Sequence, residues 1–155
     1  LNDGSMAGFA VVDVRVTLIG GSSHPVDSSD IAFKIAAFEA TRKALEKAHP
    51  TLLEPVMKVE VETPDQYMGD VIGNVSSRRG KILNVQMRDD VRVIDCEAPL
   101  ADMFGYSTQL RSLTQGRATY TMELSHYEEV PENVAKKVLG AFGFKSAAQQ
   151  AAAEA

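Results

Sequence analysis

Hydrophobic and polar residues alternate along the first block of the chain, from Phe9 to Ile19. A period of two residues places every second side chain on the same face of an extended chain. The pattern therefore predicts a half-buried strand with a polar outer face. Its apolar face is made of Val12, Val14, Val16 and Leu18.

A polar loop follows this strand and leads into a predicted helix. The segment Gly20–Pro25 contains glycine, serine and proline, which favour tight reversals. Asp27 or Ser28 is suited to cap the helix, and apolar residues then recur with the helical period as far as about Ala48. We expect this helix to pack one side on a sheet. Because one strand and one helix cannot form a core alone, we predict the strand-loop-helix remnant of an incomplete α+β domain.

The second block has the pattern of a complete small domain. It predicts the order strand, helix, strand, strand, helix, strand, which is the βαββαβ arrangement of a ferredoxin-like fold. Thr63 and Pro64 are suited to begin the first helix, and Gly80 to end it in the left-handed conformation. Both helices should lie on one face of the sheet and leave the other face open. The predicted strands cover residues 56–62, 81–87, 92–98 and 117–124, and the second helix ends at Gly116.

These patterns divide the chain into three parts. We predict residues 1–50 as the incomplete α+β domain and residues 51–131 as the ferredoxin-like domain. Residues 132–155 are rich in alanine and show no clear apolar stripe. We therefore predict that they form a mobile tail.

Composition narrows the classes of function. The formal net charge is −5, which argues against a nucleic-acid binder driven by bulk charge, so any RNA contact should be local and fitted by shape. The single Cys96 excludes an intrachain disulfide and fits a reducing cytosol. No Cys/His spacing of the zinc type is present, so we expect no metal site. No signal peptide or membrane-spanning segment is predicted.

Catalytic chemistry finds little support in the sequence. The glycines match neither the phosphate-binding loop nor the dinucleotide fingerprint. His24, Asp27, Ser28 and Ser29 could supply a nucleophile and a base, but a turn followed by a helix cap is the simpler interpretation. Glu60 and Glu62 are interpreted as part of a solvated strand face. We predict no catalytic residue.

Basic residues recur near the end of each helix of the second block. Two arginines at a helix end can bind phosphates bidentately, but cations there also stabilise the helix dipole, and the sequence leaves both explanations open. The repetition of basic groups favours a polyanionic partner. The candidates for RNA contact are Arg78, Arg79 and Lys81 after the first helix, and Arg111 and Arg117 around the end of the second.

Several segments resemble the translation elongation factor G family, whose members use GTP to move tRNA and mRNA through the ribosome. The resemblance runs from Phe9 to about Pro131 and matches the end of the family's fourth domain and all of its fifth. It is carried by Val26–Lys34, Leu53–Val61, Tyr67–Gly73, Ser77–Gly80 and Leu113–Arg117.

The resemblance implies a cytoplasmic ribosome-contacting fragment without GTPase activity. GTP and magnesium would belong to a catalytic domain that these residues do not include, so no cofactor is expected here. In the family, the fifth domain docks near the GTPase-associated centre and the sarcin-ricin loop of ribosomal RNA. The tip of the fourth domain reaches the tRNA–mRNA duplex in the decoding region. Residues at the matching tip positions are Gly21, Ser22, Ser23, His24 and Asp27.

Two other classes of function stay open from the sequence. One is a stand-alone ferredoxin-like module that binds RNA or protein, and the other is a regulatory domain that senses a small molecule. A regulatory domain should show a ligand-lined cleft between subunits. A ribosomal arm should instead show charged contacts with RNA and no ligand.

Overall fold

The computed structural model describes residue 4 and residues 6–142, which fall into two compact units. Unit 2 comprises Leu53–Glu129, and unit 1 comprises the segments on either side of it. The helices are α1 (Asp30–Lys47), α2 (Met68–Ser77), α3 (Tyr106–Leu113) and α4 (Glu132–Ala141), and the strands are β1 (Leu53–Pro64), β2 (Lys81–Arg88), β3 (Val91–Pro99) and β4 (Thr119–Glu129).

Unit 2 is a four-stranded antiparallel sheet with the strand order β2-β3-β1-β4. Strands β1 and β2 flank β3 and are joined through α2, while β3 and β4 flank β1 and are joined through α3. The ferredoxin-like βαββαβ prediction is therefore confirmed. The hairpin between β2 and β3 turns at Asp89 and Asp90, where Asp89 has a φ of 53°.

One face of this sheet carries the core of unit 2. Alternate residues of the strands pack against the buried side of the two helices. The other face is polar, as expected for an open face, and Arg88 pairs there with Glu62 at 3.1 Å. The main core side chains are Val59, Val61, Ile94 and Cys96 from the strands and Val71, Val75, Tyr106 and Leu110 from the helices.

The first helix of unit 2 begins differently from the sequence prediction. A 3₁₀ turn, Asp65–Tyr67, lies between β1 and α2, and α2 starts only at Met68. Thr63 is buried in β1, so it does not cap the helix, and Pro64 is the last residue of that strand. The tighter 3₁₀ turn lets the chain leave the sheet and reverse within three residues.

The end of α2 also corrects a prediction. Arg79, and not Gly80, adopts the left-handed conformation, with a φ of 58°. The backbone N–H of Gly80 donates to the carbonyl of Val75 at 2.9 Å, which closes the helix end as in a Schellman motif. A Cβ atom at Gly80 would lie 2.4 Å from a Val75 side-chain carbon and 2.6 Å from its carbonyl oxygen. Glycine is therefore required by close approach.

The predicted strand over residues 9–19 does not form. These residues have no strand conformation, and Val12, Val16 and Leu18 are exposed. The alternation is real, but a strand needs a neighbour for its backbone hydrogen bonds, and unit 1 has none among its described residues.

Helix α1 forms as predicted over most of its length but does not pack on a sheet. None of its residues is buried, and Ile31, Ile35 and Phe38 are exposed. Its cap is Ser29, whose hydroxyl accepts a hydrogen bond from the N–H of Ala32 at 3.2 Å, and not Asp27 or Ser28.

The tail prediction is wrong for residues 132–141, which form α4. The apolar residues recur at helical spacing after Pro131, and Leu139 is buried. An ion pair between Lys136 and Glu132, 2.6 Å apart, supports the outer face of the helix. The remaining tail, residues 143–155, lies outside the described part of the chain.

Candidate functional site

The loop before α1 presents polar side chains to solvent. The N–H of His24 donates to the hydroxyl oxygen of Ser28 at 2.7 Å, and the N–H of Ser28 donates to the carbonyl of His24 at 3.1 Å. The turn is thus held through the backbone of residue 24, and its imidazole takes no part in these hydrogen bonds. The His24 side chain is 71% exposed, and its Nδ1 lies 3.6 Å from an Asp27 carboxylate oxygen. Gly21, Ser22 and Ser23 are also exposed.

Arg78 is directed into unit 2, where it joins the end of α2 to the loop before α3. Its guanidinium donates to the backbone carbonyls of Asp102 and Phe104. It also donates to the side chain of Gln109 and stacks 5.3 Å from the centre of the Tyr106 ring. These contacts use most of its donors, so Arg78 acts primarily as a connection within unit 2.

The end of α2 and the loop before α3 form a corner of unit 2, and Arg79 closes this corner by binding two carboxylates. It binds Glu54 with two parallel hydrogen bonds of 2.7 and 2.8 Å and donates from Nε to Asp102 at 2.7 Å. The hydrogen bonds with Glu54, followed by those with Asp102, raise the pKa of Arg79 above its usual value. Because the Glu54 side chain is only 12% exposed, losing this cation would leave a carboxylate with little access to water.

Loss of the Arg79 side chain should weaken unit 2. Replacing Arg79 by alanine should cost about 1–2 kcal/mol of unfolding free energy, less than for a fully buried pair because the arginine is partly exposed. Cys96 is buried and is the only thiol of the chain, so a thiol reagent can report opening of the core. Arg79→Ala should therefore react roughly 5- to 30-fold faster under conditions where the core recloses faster than the reagent reacts, because the rate then follows the opening equilibrium.

The matched control is Arg117→Ala, in the same unit, whose side chain makes no ion pair with any residue that the structure describes. Its thiol reactivity should match that of the unchanged chain, as expected for an exposed position. Equal reactivity of Arg79→Ala and the control would show that the contacts with Glu54 and Asp102 contribute no net stability.

The other three basic candidates are exposed and do not form one patch. Lys81, Arg111 and Arg117 make no ion pair within the described ranges. Lys81 of β2 is aligned across the sheet with Glu97 of β3 and Lys58 of β1, whereas Thr119, the first residue of β4, is aligned with Glu62 of β1. Each set of aligned residues forms one row across the sheet. These rows are four residues apart along β1, or about 13 Å at ~3.3 Å per residue. Arg117 precedes Thr119, so the repeated basic groups lie at opposite ends of the sheet.

Sequence reasoning missed the residues that surround Arg78 and Arg79. Asp102 and Gln109 belong to the other half of the domain, and no local pattern links them to α2. It also gave no role to Phe104, whose side chain is 78% exposed. The one signal in the sequence was that Phe104, a large apolar residue, lies directly before Gly105, and a glycine favours a turn that exposes its neighbour.

Two buried groups lie behind this corner. Burial, with a smaller contribution from Asp95, raises the pKa of the Cys96 thiol to about 11. This makes the thiol an unreactive core group at neutral pH. The hydroxyl of Tyr106 is buried without a hydrogen-bond partner among the described residues. Its ring packs edge-on against Tyr120, with centroids 5.0 Å apart.

Metal and membrane sites receive no support from the described residues. No group of three or more His, Cys, Asp and Glu side chains is arranged there to hold a metal ion. Within the same residues, no helix combines the length and apolar character needed to cross a bilayer.

Two family descriptions match consecutive parts of the chain. Elongation factor G domain IV matches residues 1–49, and the elongation factor G C-terminus matches residues 51–138. The chain belongs to the elongation factor G family.

Individual relatives agree with this assignment. The chain is 55% identical over 140 residues to elongation factor G of Aquifex pyrophilus, a match that covers 90% of this chain and 20% of that protein. It is also similar to a crystal structure of a protein from Thermus thermophilus, with a TM-score of 0.82 and 40% identity. That match covers 92% of this chain and 22% of the other. The chain thus spans about a fifth of the length of these relatives.

Proposed function

We propose that this chain is the ribosome-contacting C-terminal part of an elongation-factor-G-type translocase that promotes tRNA–mRNA movement in the cytoplasm. The main support is the similarity to Aquifex pyrophilus elongation factor G, at 55% identity over 140 residues. It crosses both units and includes the loop before α1 and the corner formed by Arg78 and Arg79. The ribosome is the partner that this similarity supports.

The two units have separate roles in this proposal. The loop containing His24 contacts the tRNA–mRNA duplex, and unit 2 contacts ribosomal RNA near the GTPase-associated centre and the sarcin-ricin loop. The exposed polar loop and the exposed cations of unit 2 are consistent with these roles. Arg78 and Arg79 maintain the shape of unit 2, while Arg111 and Arg117 are available to phosphates. Lys81 is also exposed, but it lies on the open sheet face beside Glu97.

A chimera tests the proposal directly. The matching segment of Aquifex pyrophilus elongation factor G is replaced by the present chain, and translocation is followed by rapid kinetics on ribosomes. We expect movement at a rate within about tenfold of the unchanged factor, since a tenfold change equals ~1.4 kcal/mol in barrier height. A deletion of the same segment is the control. A chimera that folds but moves tRNA no faster than the deletion would contradict the proposal.

The chain itself should neither bind nor hydrolyse GTP. Its sequence lacks the phosphate-binding loop that ends in Gly-Lys-Ser/Thr, and backbone N–H groups of such a loop are what hold the nucleotide phosphates. Calorimetry with the 155-residue chain should show no heat of binding for GTP with magnesium. Saturable binding at micromolar GTP would overturn this expectation and place a nucleotide site in the C-terminal part.

A further inference from the structure

Phe104 is an exposed aromatic residue on a loop whose backbone is firmly held. Its side chain is 78% exposed, and it lies between the 3₁₀ turn Leu100–Asp102 and the start of α3. Scattered exposed apolar residues are common on protein surfaces, so exposure alone assigns no role. The surroundings of Phe104 carry the inference.

The first observation is the way in which the loop is fixed. Arg78 donates hydrogen bonds to the carbonyls of Asp102 and Phe104, and Arg79 binds the Asp102 carboxylate. Gly105 has a φ of 73°, which aligns the chain with the start of α3. A ring presented from a fixed loop loses little conformational entropy when it binds a partner.

The second observation is the charge of the adjoining surface. Residues 103–122 contain no Asp or Glu, although the chain has 21 acidic residues in 155. The exposed residues of α3 include Ser107, Thr108 and Arg111. Ser107 and Arg111 are four residues apart and are therefore neighbours on one side of the helix. The carboxylates of Asp102 and Glu54 both pair with Arg79, and the adjacent Arg78 guanidinium supplies a second positive charge at this loop.

The opposite face of unit 2 has the reverse character. The open face of its sheet carries more carboxylates than cations, although Lys58, Lys81 and Arg88 lie among them, so its net charge disfavours a polyanion. A polyanion is therefore accepted on the α3 side and disfavoured on the sheet side. The acidic residues of the open face are Glu60, Glu62, Asp95, Glu97 and Glu123.

We propose that Phe104 stacks on an unpaired base of ribosomal RNA, while Arg111 contacts a neighbouring phosphate. Aromatic rings bind unstacked bases, and hydroxyl and guanidinium groups beside them suit the sugar-phosphate backbone. Arg78 is a positioning residue that holds the Phe104 loop. This inference rests on the proposed ribosomal function and names the side chain through which unit 2 contacts the RNA.

The test uses the full-length factor that contains this chain and compares Phe104→Ala, Phe104→Leu and Phe104→Tyr. Binding to purified ribosomes is measured at several salt concentrations with a non-hydrolysable GTP analogue. We expect the alanine and leucine variants to bind about 5- to 150-fold more weakly, the range typical for loss of one base–aromatic stack. Tyrosine should restore binding to within about threefold, because its ring also stacks.

Salt dependence separates stacking from charge. The Phe104 variants should keep the slope of log K against log salt, because no phosphate contact is removed. Arg111→Ala should reduce the slope by about 1, whereas Arg78→Ala should weaken binding without changing it. Chemical probing should show a ribosomal base protected by the unchanged factor and by Phe104→Tyr, but not by Phe104→Leu.

Each contrary result has a distinct meaning. Normal binding by Phe104→Ala overturns the stacking proposal, and normal binding by Phe104→Leu overturns it in favour of an apolar protein pocket. Failure of the unchanged factor to bind ribosomes overturns the proposed function itself. Thermal unfolding of each variant checks the fold, which the Phe104 and Arg111 variants should leave nearly unchanged because these side chains are exposed.

Discussion

Replacing Gly80 by alanine should destabilise unit 2 by about 1–3 kcal/mol, the usual cost of forcing extra volume into a packed site. The added Cβ would lie 2.4 Å from a Val75 side-chain carbon and 2.6 Å from the Val75 carbonyl oxygen. Val75 is fully buried in the core, so its side chain has no open space to enter. Relief would have to come from the backbone, at the expense of the hydrogen bond that closes α2.

Urea unfolding of the 155-residue chain measures this effect. All four tyrosines lie in unit 2 and the chain has no tryptophan, so tyrosine fluorescence reports this unit alone. With a slope of ~2 kcal/mol per molar urea, the midpoint should fall by roughly 0.5–1.5 M.

Gly73→Ala provides a matched control in the same helix. A Cβ at Gly73 meets nothing within 4 Å, and alanine is favoured over glycine inside a helix. This variant should therefore gain up to about 1 kcal/mol of stability, opposite in sign to the change at Gly80. A Gly80→Ala midpoint equal to that of the unchanged chain would mean that the end of α2 can shift freely and that the close approach is not required.

The contrast between these two glycines shows what local pattern could predict. Unit 2 was predictable in its element order because each strand and turn is marked by nearby residues, such as the two aspartates between β2 and β3. The need for glycine at position 80 was also visible, but its reason was not. In the left-handed conformation, the side chain of Arg79 meets Glu54 and Asp102, which are 25 and 23 residues away in sequence.

In unit 1, by contrast, the periodicity of the sequence did not suffice to predict the structure. The alternation over residues 9–19 has the period of a strand, but a period does not provide a partner for the backbone. The exposed apolar side of α1 has the same cause, since Ile35 and Phe38 match the helical period without a surface to cover them. In α4, helix-spaced residues such as Leu139 were missed because this segment was grouped with the alanine-rich residues 147–155 that follow it.

The sequence allowed us to predict which residues belong to the candidate site, but not which atoms their side chains contact. The loop with His24 and the exposed cations follow from residue type alone. The inward direction of Arg78 does not, because it depends on carbonyls of Asp102 and Phe104 that only the fold brings close. Sequence reasoning therefore gave Arg78 and Lys81 the same role, whereas the structure gives them different surroundings.

Replacing His24 by alanine in the full-length factor should slow tRNA–mRNA movement by about tenfold or more and leave ribosome-stimulated GTP hydrolysis near normal. A tenfold loss corresponds to one contact of ~1.4 kcal/mol in the transition state. The two steps should separate because the residues that hydrolyse GTP would lie outside the present chain. The fold should hardly change, since the His24 side chain is 71% exposed and the turn is held by backbone atoms that alanine retains.

Ser28→Ala tests whether the shape of the loop or the imidazole itself is needed. Its hydroxyl oxygen accepts the hydrogen bond from the N–H of His24, so alanine loosens the turn but keeps the ring. A contact made by the imidazole predicts that His24→Ala slows movement more than Ser28→Ala does, because a loosened loop can still reach the duplex. Both variants should retain the rate of GTP hydrolysis when the two steps are followed on the same ribosomes. If His24→Ala lost hydrolysis and movement equally, or neither, His24 would not be a working residue of the tip, and the contact with the tRNA–mRNA duplex would have to come from other parts of the loop.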